Sequence, residues 1–245
     1  QFNVLEMVSQ HVTPEHGVTG YAYDRTQGPA CAIAAGAATI YRNYLVPIGG
    51  QTGQTRHRQL DALAPLGAAL SAELGRPVGQ LWNMQNGYAL CTVDGLSAIT
   101  DLLADADAAL RDRLRGQLAI GLHRDVQVTD ATDGPPRRVS QAFCSALPVA
   151  YSHLPDPAWE SFARLVLEAS YEATLLAAAE QAGAGGSNIV LLTRVGGGAF
   201  GNGPEWIDDA IERALAIVEH AGLDIQLVGY GRVNPSSAAI ADRWG

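Results

Sequence analysis

Short β-like apolar runs alternate along the chain with longer segments of helical periodicity. The runs Ile189–Leu192 and Ile225–Tyr230 are apolar and rich in β-branched residues, which predicts two buried strands. Between them, apolar positions with helical spacing predict a helix over Pro204–Ala221. The same spacing predicts a long helix over Asp156–Gly183, with a proline in its first turn and a glycine at its end. This alternation is typical of an α/β layered fold.

The rest of the pattern predicts further elements of both kinds. The predicted strands are Cys31–Ala35, Thr39–Val46, Tyr88–Val93, Asp125–Thr129 and Val139–Ser145. The predicted helices are Gln59–Leu74, which Pro65 should kink or break, and Leu96–Leu114. A chain of 245 residues that is 47% hydrophobic can bury one large core. Because no repeat or low-complexity linker interrupts the chain, we expect one domain over residues 1–245.

Composition narrows the class of partner and the compartment. The net charge of −9 disfavours duplex nucleic acid, whose phosphate backbone requires a basic surface. No apolar run reaches the length of a membrane span, and the first residues lack the pattern of a signal peptide, so no membrane association is expected. The three cysteines are odd in number and lack CxxC spacing, which favours a reducing, cytoplasmic environment.

The basic residues are all arginine, 16 in number, and the chain contains no lysine. Walker-type phosphate binding through lysine and Schiff-base chemistry are therefore excluded. Any phosphate contact must come from arginine, backbone amides or helix ends. The six histidines show no HxxxH or HExxH spacing, so no metal site is expected.

The most informative segment is a glycine-rich loop that follows the strand ending near Leu192 and precedes the helix opened by Pro204. We call it the glycine loop, and it comprises Gly196, Gly197, Gly198, Ala199, Phe200, Gly201 and Asn202. Glycines let the backbone approach a phosphate, while free N–H groups and the helix dipole supply positive potential. Phe200 is unusual in such a loop and indicates a flat or ring-shaped partner. The ligand is therefore expected to carry both phosphate and a ring.

A second glycine-rich segment, Asn43–Asp61, also follows a predicted strand and precedes a predicted helix, and we call it the second loop. Ligands of open α/β sheets bind at the carboxyl ends of the strands. We therefore expect both loops to line one cleft and to contact one ligand. Two unrelated surface loops are the simpler alternative for each loop taken alone.

The glycine loop also matches the dinucleotide fingerprint Gly-x-Gly-x-x-Gly of Rossmann folds, through Gly196, Gly198 and Gly201. That fingerprint normally opens a domain and is followed, about 20 residues later, by an acidic residue that binds ribose. Here the motif comes late, and the next strand ends in Gly231-Arg232 without an acid. A nicotinamide-dependent oxidoreductase is therefore the weaker alternative.

The stretch from Val139 to the helix after Pro204 resembles the second half of the macrodomain family in the order and spacing of its elements. It has a buried strand, a long helix containing Tyr-x-x-x-Leu, an apolar strand, a phosphate loop and a closing helix. The resemblance implies a three-layer α/β/α fold with a mixed central sheet. It also implies that the glycine loop grips the diphosphate of ADP-ribose and that Phe200 covers the distal ribose. Residues 75–138 match poorly and are taken as an elaboration.

The second loop resembles the poly(ADP-ribose) glycohydrolase branch of macrodomains, which carries three glycines and, six to eight residues later, Gln-Glu-Glu. The matching residues here are Gly49, Gly50 and Gln51, then Gln59, Leu60 and Asp61. The resemblance implies that Asp61 takes the place of the catalytic glutamate. If Asp61 is not catalytic, Gln54 and Gln59 are the next candidates, as groups that position water. The family resemblance further implies that Asn43 holds the distal ribose and that Asp24 contacts adenine. A plain turn is the alternative for Asp24.

Together these features predict an ADP-ribose-binding hydrolase that removes ADP-ribosyl groups, without a cofactor, from a protein or another ADP-ribosylated substrate. A non-catalytic ADP-ribose reader is the alternative from a different class. The two functions differ at Asp61, because a reader has no use for an acid beside the distal ribose. The linkage that is cleaved is not determined by the sequence.

Overall fold

The structure is a computed structural model that describes residues 13–16, 35–85, 87–129, 133–229 and 231–245. The predicted adenine contact Asp24 lies outside the described residues. So does the predicted strand Cys31–Ala35, apart from its last residue.

Helices alternate with short strands along the described chain. The α-helices are α1 Ala37–Ile40, α2 Ala64–Leu74, α3 Val78–Leu81, α4 Val93–Asp105, α5 Ala108–Arg115, α6 Asp156–Gly183, α7 Pro204–Val218 and α8 Pro235–Trp244. The strands are β1 Pro47–Ile48, β2 Gln51–Thr52, β3 Trp82–Gln85, β4 Tyr88–Cys91, β5 Gly121–Gln127, β6 Arg138–Phe143, β7 Ile189–Thr193 and β8 Asp224–Val228. A π-helix, Tyr41–Leu45, continues α1, and 3-10 turns occupy Pro14–His16 and Val149–Tyr151. This mixture fits the α/β class broadly.

The strands of the described residues pair in twos. β1 with β2 and β5 with β6 are antiparallel, β7 with β8 is parallel, and β3 with β4 forms the remaining pair. The pairing of β5 with β6 confirms the two strands predicted on either side of the Asp-Gly-Pro-Pro loop. The parallel pair requires a crossover, which α7 supplies.

Two compact units make up the chain. The first comprises Gln1–Ala62, Met84–Tyr88 and Ile120–Cys144, and the second comprises Leu63–Asn83, Ala89–Ala119 and Ser145–Gly245. The single domain expected over residues 1–245 stays a prediction.

Helix α6 is the buried centre of the second unit. Its first half, including Trp159 and Phe162, packs into a cluster with leucines of α2 and α4. The rings of Phe162 and Trp82 stack with centroids 5.6 Å apart. Its second half, including Tyr171, packs into another cluster with the buried face of α7 and with β7. The helical periodicity of both segments, which the sequence predicts, therefore marks the faces that form the core.

The first unit has a smaller core, formed by α1 and the β5–β6 pair. Its buried apolar residues are Ala35, Ala38, Ala62, Val126 and Phe143. The guanidinium of Arg42 lies over the ring of Phe143, 4.1 Å from its centroid. This cation–π contact compensates part of the cost of burying the arginine.

The prediction of a strand over Thr39–Val46 is wrong, because residues 39–45 are helical and Val46 is the extended residue that follows the π-helix. Its buried residues recur with helical spacing rather than in alternation, and they are Ala38, Thr39, Arg42 and Asn43. The isoleucine and tyrosines that suggested a strand lie on the exposed side. Tertiary packing has overridden their β propensity.

Two predicted helices differ in their bounds. The helix expected from Gln59 begins at Ala64, and Pro65 lies in its first turn. Proline is favoured there because its missing N–H is not needed, so Pro65 helps to begin the helix instead of breaking it. The helix expected over Leu96–Leu114 is two helices, α4 and α5. The carboxylate of Asp107 accepts a hydrogen bond of 2.7 Å from the Leu110 N–H and caps α5.

The remaining predicted elements are confirmed within a few residues, namely β4, α6, β7, α7 and β8. Among the described residues, no helix combines the length and the hydropathy that crossing a membrane requires.

Candidate functional site

The glycine loop leaves the carboxyl end of β7 and enters α7. Gly196 has φ of 84° and Gly201 has φ of 69°, both in the left-handed region. An ideal Cβ on Gly196 would lie 2.4 Å from the Cβ of Ala146, and one on Gly201 would lie 2.8 Å from the Cβ of Ala150. The backbone conformation and the close packing therefore both require glycine at these two positions.

Replacing Gly196 with alanine is expected to lower the free energy of unfolding by about 2 kcal/mol, because the methyl group is strained at this φ and collides with Ala146. Gly198→Ala is the matched control, since an ideal Cβ on Gly198 meets no atom within 4 Å and its φ lies outside the left-handed region. Urea unfolding followed by circular dichroism measures both variants. Equal destabilisation of the two would contradict the expectation.

Two buried side chains hold the entry and the exit of the glycine loop. At the entry, the hydroxyl of Tyr171 donates to the Thr193 carbonyl at 2.9 Å and accepts from the Val195 N–H at 2.7 Å. At the exit, the Asn202 amide nitrogen donates to the Leu147 carbonyl at 2.8 Å and to the Gly196 carbonyl at 3.3 Å. The backbone N–H of Asn202 also donates to Gly196, at 3.0 Å. The loop is therefore closed on itself and anchored to the core.

Arg194 braces the same loop from outside. Its guanidinium forms an ion pair with Asp208 of α7 and donates to the Pro204 carbonyl at 3.1 Å. The two charged side chains are about equally buried, at 18% and 17% exposure. This pair ties the end of β7 to the start of α7, and its mutual neutralisation leaves Arg194 little charge to offer a ligand.

Three successive backbone N–H groups of the glycine loop are left without a hydrogen-bond acceptor among the described residues. Within the described part of the chain, the N–H groups of Gly197, Gly198 and Ala199 donate no hydrogen bond. Gly197 and Gly198 are exposed. No side chain caps the adjoining N-terminus of α7. Exposed, unused donors beside a helix N-terminus can bind an anion.

An aromatic pair borders the loop. The ring of Phe200 meets the ring of Tyr151 edge-on, with centroids 5.6 Å apart. The Ala150 N–H donates to the Phe200 carbonyl at 2.9 Å, which fixes the 3-10 turn Val149–Tyr151 against the loop. Burial raises the pKa of the Tyr151 phenol, so its hydroxyl stays protonated at neutral pH. The cover of the distal ribose expected from Phe200 stays a prediction.

In the second loop, Gly49 and Gly50 form the two-residue turn of the β1–β2 hairpin. Their φ values of 53° and 85° are both positive, as a type I′ turn requires. The guanidinium of Arg58 donates to the Gly49 carbonyl, and the Gln51 amide donates to the Gly53 carbonyl at 2.8 Å. The strand expected before this loop is replaced by the π-helix and the short strand β1. The positive φ values of the hairpin turn are enough to explain the two glycines, without a ligand.

Asn43 and Gln54 are buried beside this hairpin, at 1% and 6% exposure. Asn43 lies in the π-helix, a feature that is frequent at functional sites. Its amide nitrogen donates to the Pro14 carbonyl at 3.2 Å, and its Oδ1 has no hydrogen-bond partner in the described chain. The Gln54 side chain donates to the Arg42 carbonyl and accepts from the Leu60 N–H, both at 2.8 Å.

Asp61 is exposed, and two residues separate it from Ala64, the first residue of α2. The expectation that Gln59, Leu60 and Asp61 begin a helix is therefore wrong, because the helix starts only where Pro65 can enter its first turn. Gln59 is half-buried. The chemical roles expected for Asp61, Gln59 and Gln54 stay predictions.

The two loops belong to different units, with Gly49 and Gly50 in the first and the glycine loop in the second. The shared cleft stays a prediction. Within the second unit, the structure adds two residues that the sequence analysis did not place at the loop, Tyr171 and Tyr151. The Tyr-x-x-x-Leu motif on α6 was the only signal for Tyr171.

Two other kinds of site come into question among the described residues, metal sites and nucleophilic thiols. The described residues contain no cluster of three or more histidine, cysteine, aspartate or glutamate side chains able to hold a metal ion. Cys91 is a free thiol packed against the core, and burial raises its pKa to about 12. A thiol with such a pKa is almost fully protonated at neutral pH and is a weak nucleophile.

The chain matches no protein-family model, no curated protein and no solved structure. The macrodomain resemblance therefore rests on the sequence motifs alone.

Proposed function

We propose that this chain is a macrodomain-like domain that binds ADP-ribose and hydrolyses ADP-ribosyl groups at the anomeric carbon of the distal ribose. The observation that carries the proposal is the glycine loop. It follows a strand, precedes a helix, is held by buried side chains and presents unused N–H groups at Gly197, Gly198 and Ala199.

Backbone N–H groups, rather than an arginine side chain, are the proposed donors to the diphosphate. Arg194 is paired with Asp208, so the backbone N–H groups and the N-terminus of α7 supply the positive potential. Backbone donors in a rigid loop recognise phosphate oxygens by position, at little cost in ordering. Phe200, which meets Tyr151 edge-on beside the loop, is the ring proposed to pack against the distal ribose.

The buried amide of Asn43 supports a ribose contact. Its Oδ1 is an acceptor without a donor among the described residues, and an unsatisfied buried acceptor is costly. A ribose hydroxyl that donates to this oxygen would remove the cost. The proposal therefore assigns the distal ribose to Asn43, in agreement with the macrodomain resemblance.

The proposed reaction follows the logic of glycoside cleavage. The bond at the anomeric carbon breaks through an oxocarbenium-like state, and a carboxyl group protonates the leaving oxygen or orients the attacking water. Asp61 is the proposed carboxyl group, and Gln59 is a proposed water-positioning group. The proposal includes a three-layer α/β/α fold with a mixed central sheet. It also includes an ADP-ribosylated protein as the partner and a cytoplasmic location.

A non-catalytic reader is the second candidate, and the bonds of Gln54 favour it. Both ends of the Gln54 amide bond backbone groups, at Arg42 and Leu60, so this side chain braces the second loop, and its burial keeps it away from bulk water. A reader needs the glycine loop and Asn43 but neither Asp61 nor Gln59.

Calorimetry with ADP-ribose, followed by incubation with substrates ADP-ribosylated through defined linkages, tests the proposal. We expect ADP-ribose to bind at least about tenfold more tightly than AMP, which lacks the diphosphate and distal ribose. Release of ADP-ribose from serine, arginine, acidic side chains, a nucleic-acid end or an acylated ADP-ribose would identify the linkage. Binding without release supports the reader. Hydride transfer with a nicotinamide dinucleotide would support an oxidoreductase, and no ADP-ribose binding would refute both main candidates.

A further inference from the structure

Tyr171 lies on α6, 24 residues before the segment that it contacts. Its ring is buried at 2% exposure among the apolar residues shared by α6, α7 and β7. Its hydroxyl both donates and accepts, to Thr193 and from Val195. No other side chain in the described chain bonds both of these backbone groups.

The two bonds lie where the sheet ends. Thr193 is the last residue of β7 and pairs with Val228 of β8. Beyond it, Val195 turns back, and its N–H also approaches the Thr193 carbonyl at 3.2 Å. The Tyr171 hydroxyl thus hydrogen-bonds the Thr193 carbonyl and the Val195 N–H at the point where the pairing of β7 with β8 ends. The two bonds to Tyr171 therefore fix the path of the chain from the end of β7 to Gly196.

We propose that Tyr171 is a positioning residue that preorganises the glycine loop for a diphosphate. The inference rests on the proposed function, since it assigns Tyr171 to the same site. A loop held in its binding conformation loses less entropy when ligand binds, so part of the affinity depends on this hydroxyl.

The other anchors of the loop do not duplicate this role. Asn202 fixes the exit of the loop through Leu147 and Gly196, and Arg194 joins the loop's ends through α7. Among the side chains of the described residues, Tyr171 is the one that accepts from the N–H of Val195, the residue that directly precedes Gly196. Removing its hydroxyl loosens the entry and leaves the ring in the core.

Tyr171→Phe tests the inference, with Thr174→Val as matched control. Thr174 lies one turn further along α6, and its hydroxyl donates to the Ser170 carbonyl at 2.7 Å, away from the glycine loop. We expect Tyr171→Phe to weaken ADP-ribose binding by about five- to tenfold, the scale of one buried hydrogen bond. Binding of adenosine, which carries no phosphate, should not change. Thr174→Val should bind both ligands as the unchanged protein does.

Amide hydrogen exchange adds a readout that does not depend on ligand. In Tyr171→Phe, exchange of the Val195 N–H should become faster, while Leu192 in the middle of β7 keeps its protection. Unchanged exchange at Val195, or equal loss of ADP-ribose and adenosine affinity, would overturn the positioning role. If the unchanged protein fails to bind ADP-ribose but exchange of the Val195 N–H accelerates in Tyr171→Phe, the proposed function fails. Tyr171 then still holds the loop entry, but its role toward a diphosphate is withdrawn.

Discussion

Replacing Gly198 with leucine is expected to weaken ADP-ribose binding by about 100-fold or more and to leave the fold intact. The side chain would stand among the unused N–H groups of Gly197, Gly198 and Ala199 and would keep phosphate oxygens from reaching them. An ideal Cβ on Gly198 meets no atom of the described residues within 4 Å, and Gly198 is exposed, so the new side chain can extend into solvent. Calorimetry gives the affinity, and thermal unfolding reports the fold.

Gly183→Leu is the matched control for this variant. Gly183 ends α6, its φ lies outside the left-handed region, and an ideal Cβ there also meets nothing within 4 Å. It should bind ADP-ribose normally. If Gly198→Leu keeps the affinity of the unchanged protein, the diphosphate does not lie on the glycine loop, and the main support of the proposed function is lost.

The second large effect is expected at Asp61. Asp61→Asn keeps the size and hydrogen-bonding capacity of the side chain but removes its ability to transfer a proton or carry charge. Turnover of an ADP-ribosylated substrate should fall by about 10²-fold or more, the usual scale for a lost acid–base group. Affinity for ADP-ribose should change little, because the proposed diphosphate contacts lie in the glycine loop. Single-turnover kinetics and calorimetry separate the two effects.

Asp101→Asn, which neutralises another exposed aspartate on α4, is the control for the change in net charge. Full activity in Asp61→Asn would end the claim that Asp61 is catalytic. Gln59 would then be the cleaner position to test next, because replacing Gln54 also breaks its bonds to the Arg42 and Leu60 backbone.

The elements around the glycine loop were predictable because their signals are local. An apolar β-branched run predicts β7, a proline predicts the start of α7, and helical spacing predicts its buried face. The parallel β7–β8 pair follows, since one helix between two strands makes a crossover. These signals need no knowledge of the rest of the chain.

The errors lie where local signals conflict with packing. Isoleucine and tyrosine favour a strand over Thr39–Val46, yet the segment is helical and places those residues on its exposed side. Pro65 was expected to interrupt a helix that in fact begins beside it. In both places the sequence permits two local conformations, and the burial of other residues decides between them.

The sequence by itself determined that a glycine loop connects a strand to a helix, because chain order and glycine content are local properties. Only the tertiary structure decided how that loop is held. Tyr171 and Val195 are 24 residues apart, and Asn202 and Leu147 are 55 residues apart. These contacts arise because α6 and the segment before it pack against β7 and the loop. Periodicity shows that α6 has a buried face, but it does not show which backbone groups that face will meet.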